Sequence, residues 1–231
     1  SRAEQRIASI DILKGIGIIS VVIGHAMNTD NYYSNSVELT RRFVYLYHLA
    51  IFFFCSGYLI RVRSVKYIIL KFLKQYKMFL LICFSSFILL PLWVKTGTVT
   101  WSGYHEIVVK VKNILLFRRD GYFDGAMWFV PLMAVTSFIY SVLLLIKQRN
   151  IKVYYLFVMI CAVMGTYLVM KKGVGGYYKW LALLMIPIMA AGNEYRKFES
   201  KIVEKGIPLI LVSAVMLFLC KQGEIELSKG M

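Results

Sequence analysis

Apolar runs of membrane-spanning length, separated by short stretches rich in lysine and arginine, constrain this chain more than any other feature. About 20 apolar residues are needed for a helix to cross the hydrocarbon core of a bilayer. Of the 231 residues, 59% are hydrophobic, more than a soluble domain of this size could bury. The sequence therefore predicts an all-α fold, a polytopic bundle of transmembrane helices that forms a single domain over residues 1–231.

Hydropathy divides the chain into about seven predicted spans. They cover residues 7–27, 43–60, 76–94, 128–146, 153–170, 178–193 and 207–220. Pro187 is expected to kink the sixth span, because proline removes a helical hydrogen bond. The long connection at 95–127 mixes aromatic, aliphatic and lysine residues, which is typical of an amphipathic or re-entrant segment at the membrane surface.

The basic residues lie almost entirely in the gaps between apolar runs. A net charge of +16 in a soluble protein would indicate a nucleic-acid partner. Here the positions of the charges indicate loops that contact anionic lipid headgroups instead. The densest basic stretches are 61–77, 147–152 and 196–205. Because positive charge marks the cytoplasmic side, we place these stretches and the N-terminus in the cytoplasm.

The four cysteines carry no metal-binding or redox pattern. Cys55, Cys83, Cys161 and Cys220 each lie within an apolar run, without a CxxC pair and without a histidine at metal-ligand spacing. We expect buried thiols that pack as small apolar side chains, and no metal site.

Ionisable residues interrupt the first apolar run at Asp11, Lys14 and His25. The steps from Lys14 to His25 turn a helix about three full times plus ~20°, so both residues share a face, roughly 16 Å apart along the axis. Charged groups in a membrane helix are costly and usually face a protein interior or a wet cavity. The pattern indicates a functional site. For Asp11 and Lys14 alone, snorkelling to the cytoplasmic interface is the alternative.

A second polar cluster lies in the next apolar run, with His48 at its start, Ser56 beside Gly57, and Arg63 after its end. A serine beside a glycine commonly marks close packing of membrane helices, with the hydroxyl bonded back to its own helix. A short hairpin between the two runs is expected to bring His48 towards His25.

A third cluster precedes the fourth apolar run, where Asp124 is followed by Trp128. A lone tryptophan at such a position is typical of an anchor at the membrane interface. A role in substrate binding is the alternative.

Three classes of function fit these clusters. In a transporter or channel, Asp11, Lys14, His25 and His48 would form a path for protons or substrate. A non-catalytic membrane subunit is a second class, and a membrane enzyme is the third. The sequence has no internal repeat, which disfavours the transporters built from inverted repeats.

Three segments resemble, in order, the signature segments of the acyltransferase-3 family of integral membrane acyltransferases. They read RIASIDILKGIGIISVVIGH, YHLAIFFFCSGYL and MWFVPL, and the first is most similar to the fucose-4-O-acetylase-like branch. The resemblance implies transfer of an acyl group, usually acetyl from cytoplasmic acetyl-CoA, to a sugar hydroxyl of a surface glycan or its lipid-linked precursor. It also implies no tightly bound cofactor and a place in the bacterial cytoplasmic membrane.

In such proteins a basic residue and a histidine separated by ten positions, here Lys14 and His25, form the functional signature. Lysine stands where the family prefers arginine, so the charge is kept but the bidentate fork that suits phosphate is lost. The implied site has catalytic His25, Asp11 and His48, donor-binding Lys14, Ser56 and Arg63, and substrate-binding Trp128 and Asp124. Family members usually have about ten spans, so either C-terminal helices are missing from this sequence or this is a reduced member, and we expect the first.

The predicted topology can be tested by labelling single cysteines from outside intact cells. Because the basic stretch 61–77 should remain in the cytoplasm, only cysteines placed in 28–42 and 95–127 should react. Labelling of 61–77 from outside would invert the topology and place Lys14 on the wrong side for a cytoplasmic donor.

Overall fold

In the computed structural model of this chain, every described element is an α-helix, as the sequence predicts. The structure describes residues 8–27, 35–61, 64–97, 103–116, 128–172 and 179–202. Its helices are α1 (Ala8–Ala26), α2 (Asn35–Leu59), α3 (Val65–Lys95), α4 (Tyr104–Leu115), α5 (Phe129–Arg149), α6 (Ile151–Lys172) and α7 (Lys179–Ile202). Three of them, α3, α5 and α6, are long and apolar enough to cross a membrane.

The helices coincide with the predicted spans except for their ends. The seventh predicted span, 207–220, lies outside the described residues. Helix α2 begins at Asn35 and α3 at Val65, well before the apolar runs inside them, because polar residues can continue a helix that hydropathy alone does not detect. The segment 95–127 contains the short amphipathic helix α4, as predicted for that connection.

Local sequence signals define several helix ends. Ser64 precedes α3 and its side chain accepts a hydrogen bond from the Tyr67 backbone N–H at 3.2 Å. Asn150 does the same for α6, accepting from the backbone N–H groups of Lys152 and Val153 at 3.0 and 3.1 Å. Gly97 follows α3 with a φ of +73°, a conformation that glycine adopts without a Cβ penalty. Such caps satisfy backbone groups that a helix end leaves unpaired.

The chain forms two compact units. One comprises residues 61–184, and the other comprises residues 1–60 together with those from 185 onwards. In the first of these, α4 packs against α3 through Ile114, which is buried with Phe79 and Cys83. The Tyr76 hydroxyl donates to the Leu115 carbonyl at 2.7 Å, which ties the end of α4 to α3.

Helix α5 is the most enclosed span of this first unit. Half of its apolar window is buried, whereas the windows of α3 and α6 are largely exposed, as expected for faces in contact with lipid. Tyr140 of α5 and Tyr154 of α6 are fully buried, and their hydroxyl groups are hydrogen-bonded to each other at 3.1 Å. This pairing satisfies two phenolic hydroxyls that would be costly to bury alone.

The second unit contains α1, α2 and α7 from Met185 onwards. Helices α1 and α2 run antiparallel, because Gly17 lies beside Phe52 while Ser20 further along α1 is bonded to Tyr47 further back on α2. The Ser20 and Tyr47 hydroxyl oxygens are 2.9 Å apart.

Helices α2 and α7 approach until their backbones touch at two glycines. A Cβ on Gly57 would overlap the backbone of Met189, and a Cβ on Gly192 would overlap the carbonyl of Phe54. Small residues at such positions allow membrane helices to pack closely. The structure thus confirms the close packing predicted at Gly57.

We expect Gly57→Ala to destabilise the protein by about 1–3 kcal/mol, because a methyl group cannot fit against the Met189 backbone. Thermal unfolding in detergent measures the change. The matched control is Gly15→Ala in α1, where a Cβ meets no heavy atom within 4 Å among the described residues. A Gly57→Ala protein that unfolds at the wild-type temperature would contradict this packing.

Candidate functional site

Lys14 and His25 lie on one uninterrupted helix, at the edge of the face by which α1 packs. Ile10, Gly17 and Ser20 are buried at helical spacing and form that face. The Lys14 side chain is 38% exposed, and His25 is exposed in the last turn of the helix. Over the eleven steps from Lys14 to His25 a helix rises roughly 16 Å. Both side chains are therefore accessible from the same flank of α1.

Asp11 and Lys14 form an ion pair one turn apart, with a carboxylate oxygen 3.6 Å from the ammonium nitrogen. Both side chains are more than a third exposed, so the pair contributes little to stability. The carboxylate can still orient the ammonium group and offset part of its charge. Lysine retains further N–H donors for a second anionic partner.

The Lys14 end of α1 packs against the last turns of α2. Ile10 is buried with Cys55 and Tyr58, and Leu13 packs on the same cluster. Lys14 directly follows Leu13, so its backbone lies beside the turn of α2 that carries Cys55. Ser56, the next residue in α2, is half-buried. The structure thus places Lys14 beside the end of α2 from which the basic stretch follows.

His48 is buried inside α2, and its Nδ1 lies 2.9 Å from the Val44 carbonyl oxygen. Because a carbonyl only accepts, Nδ1 donates, and a neutral ring then carries a lone pair on Nε2. The sequence predicted His48 at the start of its helix. That prediction is wrong, because α2 begins at Asn35. His48 follows Tyr47, which is level with Ser20, and the two helices run in opposite directions, so His48 lies about 9 Å along the axis from the level of His25.

Of the three remaining predicted site residues, only Trp128 lies within the described part of the chain. Arg63 and Asp124 lie outside the described residues. Trp128 immediately precedes α5 and is only 6% exposed. Its ring meets Phe129 edge-on, with the centroids 6.4 Å apart. This position is more enclosed than that of an interfacial anchor, and it belongs to the unit of residues 61–184.

Helix α7 supplies residues near the site that the sequence did not single out. The Arg196 guanidinium donates to the Tyr58 carbonyl at 2.9 Å and to the Ile60 carbonyl at 3.4 Å. The side-chain amide of the buried Asn193 donates to the Gly57 carbonyl at 3.4 Å. The sequence signalled Arg196 only through the basic stretch 196–205, which indicated sidedness and not a contact with α2, and it did not signal Asn193.

Cys55 and Cys83 are buried, as predicted, and Cys161 is half-buried; Cys220 lies outside the described residues. Within the part of the chain that the structure describes, no three histidine, cysteine or acidic residues group closely enough to hold a metal ion.

The chain matches the acyltransferase-3 family, described as an acyltransferase domain, over residues 7–221. Comparisons with curated proteins and with solved structures find no match. The family match covers nearly the whole chain. This protein therefore belongs to the acyltransferase-3 family: it is an integral membrane protein and an enzyme that transfers acyl groups.

Proposed function

We propose that this protein transfers an acetyl group from cytoplasmic acetyl-CoA to a hydroxyl of a cell-surface glycan or its lipid-linked precursor. One observation carries the proposal: a cation and an imidazole share one flank of a single helix, Lys14 at one end and His25 at the other. Their axial separation of roughly 16 Å is comparable to the length of a pantetheine arm. The family match supports an acyltransferase over a transporter or a non-catalytic subunit.

At the Lys14 end, the ammonium group binds a phosphate of the donor. Its partial exposure leaves room for an anion beside the Asp11 carboxylate. Arg63 follows the end of α2 and adds a second cation, and the Ser56 hydroxyl supplies a neutral contact. Hydrogen bonds between a charged donor and phosphate are short and strong, so these contacts would fix the donor against the cytoplasmic end of the helix pair.

At the His25 end, a neutral imidazole accepts the proton of the acceptor hydroxyl. The hydroxyl oxygen attacks the thioester carbon, the carbon–sulfur bond breaks, and the thiolate of CoA leaves and takes the proton from the imidazolium, which restores the neutral imidazole. General-base catalysis of this kind contributes roughly 10²–10⁴-fold. The exposure of His25 supports this role, because the acceptor must reach the ring. His48, whose Nε2 carries a lone pair when Nδ1 donates to Val44, assists on the acceptor side.

Trp128 and Asp124 are proposed to bind the acceptor sugar, the aromatic ring by stacking and the carboxylate by accepting hydrogen bonds. Because Trp128 is buried against Phe129, stacking would need its ring to become exposed. These two assignments rest on the signature segment MWFVPL and the acidic residue before it.

We expect Lys14→Ala to raise the KM for acetyl-CoA about tenfold while the protein stays folded, because a charged hydrogen bond to phosphate is lost. Lys14→Arg should bind acetyl-CoA at least as well as wild type. Steady-state kinetics and thermal unfolding in detergent measure both effects. If Lys14→Ala prevents folding and Lys14→Gln restores both fold and donor affinity, Lys14 is a snorkelling residue and not a donor ligand.

We expect His25→Ala to lose acyl transfer by roughly 10²–10⁴-fold with little change in acetyl-CoA affinity, because the imidazole acts on the hydroxyl and not on the nucleotide. His25→Gln should be as inactive, since an amide cannot accept the proton. Turnover and donor binding are measured separately on the same preparation. Wild-type transfer by a folded His25→Ala protein would overturn the mechanism.

A further inference from the structure

The Arg196 side chain of α7 lies at the C-terminal end of α2. At such an end a helix leaves its last backbone carbonyl groups without a partner inside the helix. The last carbonyls of a helix carry partial negative charge, and the helix dipole adds to it. The Arg196 guanidinium donates to the carbonyl of Tyr58, in the last turn of α2, at 2.9 Å, and to that of Ile60, just beyond the helix, at 3.4 Å. This end of α2 therefore presents a cation beside its carbonyl oxygen atoms.

The same end of α2 borders the proposed donor site. Leu13, the residue before Lys14, packs on the cluster of Ile10, Cys55 and Tyr58, and Tyr195, the residue before Arg196, packs on the same cluster. A phosphate held by Lys14 would approach the terminal carbonyls of α2, and partial negative charge there would repel it.

Helix α7 is held firmly against α2 by aromatic and backbone contacts. The Tyr195 ring lies 5.5 Å from that of Phe54 and 6.4 Å from that of Tyr58, measured between centroids. The backbone contacts at Gly57 and Gly192 hold α7 against α2 on the same side. Arg196 thus has a fixed position relative to the end of α2.

We propose that Arg196 is a positioning residue for the acyl donor, which neutralises the carbonyl end of α2 so that phosphate groups can bind beside it. This inference rests on the proposed function. It does not require Arg196 to touch the donor. It predicts an effect confined to the phosphate-bearing part of the donor, because the reacting thioester lies at the other end of the molecule.

The test compares two acyl donors, acetyl-CoA and acetyl-pantetheine, which lacks the nucleotide and its phosphates. Arg196→Gln keeps a hydrogen-bond donor but removes the charge, so we expect the KM for acetyl-CoA to rise about tenfold. The kcat for acetyl-CoA and the KM for acetyl-pantetheine should each change by less than about twofold. Arg196→Lys should restore most of the acetyl-CoA affinity, because lysine keeps the charge.

Lys197→Gln is the matched control. Lys197 is the next residue in α7, is exposed, and pairs with Glu194 of its own helix at 2.9 Å. Lys197→Gln changes the net charge by the same amount as Arg196→Gln, but at a residue that pairs with Glu194 of its own helix. The KM values of Lys197→Gln for both donors should therefore remain those of wild type.

Equal increases in KM for both donors, or a fall in kcat alone, would reduce Arg196 to a structural role and overturn the inference. So would an Arg196→Gln protein with the wild-type KM. If wild type itself uses neither donor, the proposed function fails first, and that outcome is distinct from a failure confined to Arg196. Thermal unfolding of Arg196→Lys and Arg196→Gln in detergent identifies any loss of fold.

Discussion

The backbone contact between α2 and α7 is the constraint on which the unit around the candidate site depends. Gly57 and Gly192 bring the two helices closer than any side chain would allow. Lipid offers little hydrophobic driving force for helix association, so close packing and interhelical hydrogen bonds must supply it. Asn193 and Arg196 add those bonds at the carbonyl end of α2. The packing of α2 against α7 therefore sets both the position of the Arg196 cation and the charge at the carbonyl end of α2.

The candidate site combines a packed helix pair with an accessible flank. Helix α1 uses small or apolar residues to pack against α2, which leaves Lys14 and His25 at the edge of the contact. A rigid helix fixes the axial separation of the two groups without a loop or lid, because all backbone hydrogen bonds lie within the segment. This arrangement suits the proposed donor, which is extended and carries phosphate at one end and a thioester at the other.

Much of this could be predicted from local sequence pattern. The all-α fold, six helices of the seven predicted spans and the amphipathic helix α4 follow from hydropathy. The shared flank of Lys14 and His25 follows from helical periodicity alone. The polar first turns of α2 could not be predicted in this way, because hydropathy detects only the apolar part of a helix. For that reason His48 was expected near a helix end and lies well inside one.

The sequence alone determined the membrane class, the family and the spacing of cation and imidazole, because each is a property of residues close together in the chain. Only the tertiary structure decided which helices touch. It revealed that Arg196 reaches Tyr58 across 138 positions, and that Gly57 meets Met189 backbone to backbone. No local periodicity encodes such pairs, because they depend on how separate helices pack and not on the turn of any one of them.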